Sequence, residues 1–120
     1  MQIVDNHTIQ ITLLNYTGKD INHFNNDMTK VLMTIPTQGK FAIEEKRTLK
    51  FWLGDIPVYE QTHGEVYNLP EPVENTFIIL PFLLAKSDYV KGLNRNDILI
   101  PSQTVKENGK VIGFKSFSLA

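Results

Sequence analysis

The chain has no cysteine. Disulfides, thiolate zinc sites, cysteine-ligated iron–sulfur clusters and cysteine nucleophiles are thereby excluded. Net charge is small: 12 basic against 13 acidic residues give a formal −1. A non-specific duplex-DNA binder needs a basic stripe to displace counterions, so no duplex nucleic acid is expected as a partner. No stretch approaches the roughly 18 apolar residues of a membrane span. The longest apolar run, 77–85, is interrupted by Pro81. The opening MQIVDNHTIQITLLN lacks a basic segment followed by a long apolar run, so neither a secretory leader nor a membrane is expected. The expected location is the cytoplasm.

Catalytic constellations are missing too. There is no G-x-S-x-G elbow, and the four serines (87, 102, 116 and 118) do not sit in a strand-to-helix turn before a histidine. His7, His23 and His63 lie far apart, and no pair has metal-ligand spacing. The glycines are single and turn-placed, with no phosphate-cradling loop. The carboxylates Glu44, Glu45, Glu60, Glu65, Glu71 and Asp97 are scattered over strands and read as solvated faces rather than a glycosidase pair. The chain is therefore read as non-enzymatic, with no cofactor and no metal.

What is present is a β pattern. Apolar residues are 42% of the 120, enough to fill one modest core, so a single β-rich domain over 1–120 is expected. Residues 8–14 alternate, with Ile9, Ile11 and Leu13 on one face. Asn15 to Asp20 form a turn, 21–24 a short strand, Asn25-Asn26-Asp27 a hairpin turn and 30–35 a strand ended by Pro36. Residues 40–51 carry Phe41, Ile43, Leu49 and Phe51 at odd positions and read as a long strand bulged near Glu45-Lys46. Trp52 to Asp55 turns the chain into a central pair of short strands, 56–61 and 65–67, meeting near His63-Gly64. There Tyr59 and Tyr67 are expected as cross-strand neighbours.

Prolines 70 and 72 hold an extended exit. Residues 77–80 read as a buried strand, and Pro81 suits the first turn of one short helix near 82–90, with Gly92 as its stop. Strands at 98–100 and 111–119 follow, and Asn108-Gly109 is a type I′ hairpin signal. The expected fold is mainly β: a small antiparallel barrel or sandwich of about eight short strands with that one helix.

Two arginines carry the binding chemistry that can be read. Arg95 and Asp97, two apart in an extended loop, either pair with one another or clamp a ligand. Arg47 lies near Lys46 and Lys50 on the long strand. If that strand approaches the 94–97 loop, two arginines face one pocket. Tyr59 and Tyr67, each with a polar handle, are the better candidates for an aromatic wall.

The ordered set IPxxG (35–39), GxIPVY (54–59), GEVxxLPEP (64–72), RxD (95–97) and NGxVIG (108–113) resembles a family of small bacteriophage, prophage and bacterial proteins. The resemblance covers roughly 11–119. The family's L-N-L-T-P-H-like turn is represented here by Leu14-Asn15-Tyr16-Thr17-Gly18-Lys19, without the Pro-His. Its usual Ile-Val-Ser before the helix is replaced by Ile79-Leu80-Pro81. The resemblance implies an anti-defence setting and no established catalysis. Two modes are then expected. In the first, a homo-oligomer sequesters an anionic nucleotide-derived immune signal, with Arg47, Arg95 and Lys46 on phosphates, Tyr59 and Tyr67 stacking, and Asn94 or Asp97 on ribose. In the second, the protein inhibits a host defence protein through a surface patch or an exposed strand edge.

Overall fold

In the computed structural model the alternating apolar segments settle, among the described residues, into nine strands and two single-turn helices. The structure describes every residue except 42 and 67, and every side chain except those of 42–46, 62–65 and 67. The strands are β1 (Gln2–Val4), β2 (Gln10–Asn15), β3 (Ile21–Phe24), β4 (Val31–Ile35), β5 (Ile43–Leu53), β6 (Ile56–Val66), β7 (Thr76–Ile79), β8 (Ile98–Glu107) and β9 (Lys110–Leu119). The helices are α1 (Phe82–Ala85) and α2 (Asp88–Gly92).

Seven strands form one curled sheet in the order β1-β2-β7-β8-β9-β3-β4. The chain is mainly β, as the alternation implies, and the sheet closes about halfway to a barrel. It is not purely antiparallel. The pairs β2–β7, β7–β8 and β3–β9 are parallel. β7 lies between two parallel neighbours, which is why 77–80 is a continuous apolar run: Ile78, Ile79 and Leu80 are buried.

Two apolar clusters flank this sheet. One contains Ile78, Leu80, Leu84, Val90, Ile98 and Ile100 under the helices. The other, on the opposite side, contains Leu13, Ile21, Ile35, Ile79 and Phe114. The ends of β2 and β4 meet through bridges Asn15↔Thr37 and Thr17↔Lys40. Asn15 holds that junction. Its Nδ2 donates to the carbonyls of Lys19 (2.9 Å) and Ile35 (3.0 Å), and its Oδ1 accepts from the Thr17 amide (2.9 Å) and hydroxyl (2.7 Å).

The expected helix over 82–90 is two helices. Ser87 takes an extended conformation and accepts from the Val90 amide, capping α2 and breaking the run. α2 ends at Gly92, as expected, with Leu93 as its C-cap, and the left-handed residue that follows is Asn94 at φ 51°. Strand β8 continues through Pro101, whose missing amide costs nothing because pairing with β7 stops at Leu99. The Asn108-Gly109 turn is as expected, with φ 52° and 78° at its two residues.

The remaining pair, β5 and β6, stands apart as a two-stranded sheet. Gly54, at φ 60°, makes the turn between Leu53 and Ile56. β6 runs unbroken through His63 and Gly64, so the turn expected there does not form. Tyr59 pairs across the ribbon with Leu49, not with Tyr67, which lies outside the described residues. At about 3.3 Å per residue an eleven-residue strand is ~36 Å long. The molecule measures 60 × 38 × 20 Å, with a radius of gyration of 17.4 Å. A compact chain of this length would have about 14 Å. The base of the ribbon joins the core through Val66 and α2. The rest is an arm.

Candidate functional site

Cross-strand partners in a ribbon share a face, and successive residues alternate. Leu53 therefore pairs with Ile56, and Phe51 with Val58, on one face of the arm. The register slips between Leu49 and Phe51. Beyond that bulge Leu49 and Tyr59 share the other face with Trp52 and Pro57. Both faces of the distal arm are apolar, and both are open to solvent. Trp52 is 58% exposed, Leu53 61% and Ile56 65%. Leu49, Phe51 and Tyr59 are exposed as well. Large apolar clusters are rarely left open on a protein that works alone.

Polar groups frame this patch. Arg47 sits over the Tyr59 ring, its guanidinium carbon 4.5 Å from the centroid. Lys50 Nζ lies 3.0 Å from Glu60 Oε2, an exposed ion pair of small energetic weight. Arg47 and Tyr59, both expected as site residues, are thus brought together. The backbone of Lys46 lies one residue further down the strand, and its side chain is outside those described.

Arg95 and Asp97 are brought together elsewhere. The Arg95 Nε donates to Asp97 Oδ1 at 2.9 Å and Nη2 to Oδ2 at 2.6 Å. Nη1 donates to the Pro70 carbonyl at 2.6 Å. The pair is nearly buried, each side chain 11% exposed. Arg95's hydrogen bonds hold the Asp97 carboxyl below the usual carboxylate range, against the opposing effect of burial, and its charge adds to the lowering. The Arg95 guanidinium is raised in turn, chiefly by its hydrogen bonds to Asp97, with smaller help from the charges of Asp97 and Glu71. This fork pins the proline-rich segment after β6 to the loop after α2. Asn94 is exposed beside it, its backbone occupied in closing the helix.

Among the described residues, no hydrogen bond or ion pair links Arg47 and Tyr59 with Arg95 and Asp97. Two cavities lie around this fork, and the larger is lined by carboxylates with no basic residue. A cleft of about 770 Å³ beside Asp97 is lined by Asp5 and Glu74 over an apolar floor that includes Phe77 and Phe117. A recess of about 270 Å³ has Arg95 on one wall and Glu71 on another, with Tyr89 between.

The sequence reading missed the apolar arm tip. Its signal was there: Leu49 to Leu53 is apolar except for Lys50, and the two-residue Gly54-Asp55 turn joins it to Ile56-Pro57-Val58. None of the described helices is long and apolar enough to cross a membrane. No protein-family model, no curated protein and no solved structure matches the chain.

Proposed function

We propose that this chain is a non-catalytic interaction protein that engages a protein partner through the distal β5–β6 arm. The observation that carries this reading is a projecting ribbon apolar on both faces, with aromatic side chains toward its tip and Arg47 over Tyr59 further down. Aromatic residues and arginine are the side chains enriched where protein interfaces carry their energy. Direct inhibition of a host defence protein by contact belongs to this class. The test is affinity capture from the cells that naturally make the protein. A stoichiometric protein partner is expected, lost when Leu53 and Ile56 are both replaced by glutamate. Equal capture by that variant would exclude the arm.

Sequestration of an anionic nucleotide-derived signal is the second reading, and Arg47 over Tyr59 favours it by joining an exposed cation to an aromatic ring. It has less support because the Arg95 fork is already spent on Asp97 and Pro70. Its test is a thermal shift with candidate signals, since a ligand of the native state must raise the midpoint. A rise that Arg47→Ala abolishes would favour sequestration.

A further inference from the structure

The apolar arm needs an occupant that covers two faces. We infer that the occupant is a second copy of this chain, with the distal arms of two copies exchanged so that each tip is covered by the other. This rests on the arm being an interaction site, and it names the partner.

Three observations converge. First, among the described residues the ribbon pairs with no third strand. A lone two-stranded ribbon is at best marginally stable in water and becomes stable when a face or an edge is packed. Second, the area is right. The six open side chains Leu49, Phe51, Trp52, Leu53, Ile56 and Tyr59 are each about half exposed. At roughly 100 Å² of open surface apiece they offer ~600 Å² per arm. Two arms together reach about 1,200 Å², where stable specific interfaces begin, before any surface contributed by the two bodies. Third, charge permits self-association. The formal net charge of −1 gives two copies little mutual repulsion. The distal arm carries Arg47 and Lys50 against Asp55 and Glu60. An antiparallel overlap of two arms turns the Asp55 tip of each toward the Arg47 end of the other, so opposite charges meet at both ends of the apolar overlap.

The chain supplies its own probe. Trp52, its one tryptophan, lies on the arm tip, so its emission reports the covering of that tip. The experiment is light scattering with size exclusion on the purified full chain, together with Trp52 emission on dilution. A particle of at least twice 13.7 kDa is expected, with blue-shifted emission that moves to the red as dilution separates the copies. The Leu53→Glu/Ile56→Glu variant should run as a monomer with red emission at every concentration. Lys110→Gln, an exposed change on β9 in the other sheet, should assemble as the wild type does. The melting of the body should match in all three, because the altered side chains are exposed, while the strand signal in circular dichroism should fall only in the double variant, whose arm is left unpacked.

A wild-type monomer with red emission at all concentrations overturns the inference. So does a variant that assembles like wild type. A monomer that still captures a different protein through its tip leaves the interaction reading standing and removes only the second copy. A monomer that captures nothing removes both.

Discussion

The side-chain amide of Asn15 donates to the carbonyl of Ile35, twenty residues along the chain, at 3.0 Å. Asn15 is wholly buried, and that bond joins β2 to the end of β4 where the curled sheet comes nearest to closing. The same amide donates to Lys19 and accepts twice from Thr17, so its hydrogen-bonding capacity is used up.

Asn15→Ala should therefore destabilise by roughly 2–4 kcal/mol, because it removes the Asn15 donor from the Ile35 carbonyl and leaves Lys19 with the Thr17 hydroxyl alone. Asn15→Asp, nearly the same shape, should cost at least as much, since a carboxylate would face two carbonyl oxygens. Urea unfolding measures both. An Asp variant as stable as wild type would show that shape, not donation, holds the junction.

Gly113 lies where β9 passes β3. A Cβ there would meet the ring of Phe24 and come within 2.5 Å of the Asn22 carbonyl oxygen. The backbone atom cannot step aside cheaply. Gly113→Ala is expected to cost about 1–3 kcal/mol or more. The loss should appear as faster hydrogen exchange in the β3–β4 hairpin, which hangs on β9.

The Arg95–Asp97 fork gives a dependence on pH. The folded Asp97 carboxyl titrates below its ordinary value, near 3.9 when unfolded, so the folded form binds fewer protons. Its stabilisation is complete above that ordinary value and is lost as pH falls through the lower folded one. The stability difference between wild type and Asp97→Asn should be constant from pH 7 to 5 and shrink below about 4. Arg95→Ala leaves a nearly buried carboxylate unpaired and should cost roughly 3–5 kcal/mol at pH 7. A difference that stays constant to pH 2 would refute this account.

The β8–β9 turn uses positive φ at both Asn108 and Gly109. Asn108→Gly should be nearly neutral in thermal melting. Asn108→Val, β-branched at φ 52°, should lower stability by about 1–2 kcal/mol.

These positions differ in how openly the sequence displayed them. The Asn108-Gly109 turn, the β3–β4 hairpin and the buried run of β7 were legible, because each is fixed by residues a few positions apart. The split of the helix was not, although Ser87 could have signalled it as an N-cap. A turn was read at His63-Gly64 because glycine beside a polar residue usually bends. β6 instead runs on through Gly64, which falls where its register with β5 shifts. The parallel pairs depend on partners far apart in sequence and leave no local pattern. Arg95 and Asp97 could be placed together from their spacing, but not their third partner, Pro70, 25 residues earlier. Whether Arg47 would join them was a question of tertiary geometry.

The strand order sets a timetable for synthesis. β9, which leaves the ribosome after the eight strands before it, sits inside the sheet between β8 and β3. Until it emerges, β3 and β4 lack their neighbour in the sheet and are held only at the Asn15 junction, while β5–β6 has long since been able to zip locally. Contacts across some ninety residues close last and slowly, as the Asn22–Ile112 hydrogen bond illustrates. The nascent chain thus carries an apolar arm and an unfinished sheet at the same time. A folding helper that shields hydrophobic segments during translation should raise the yield of native protein more than one added after release.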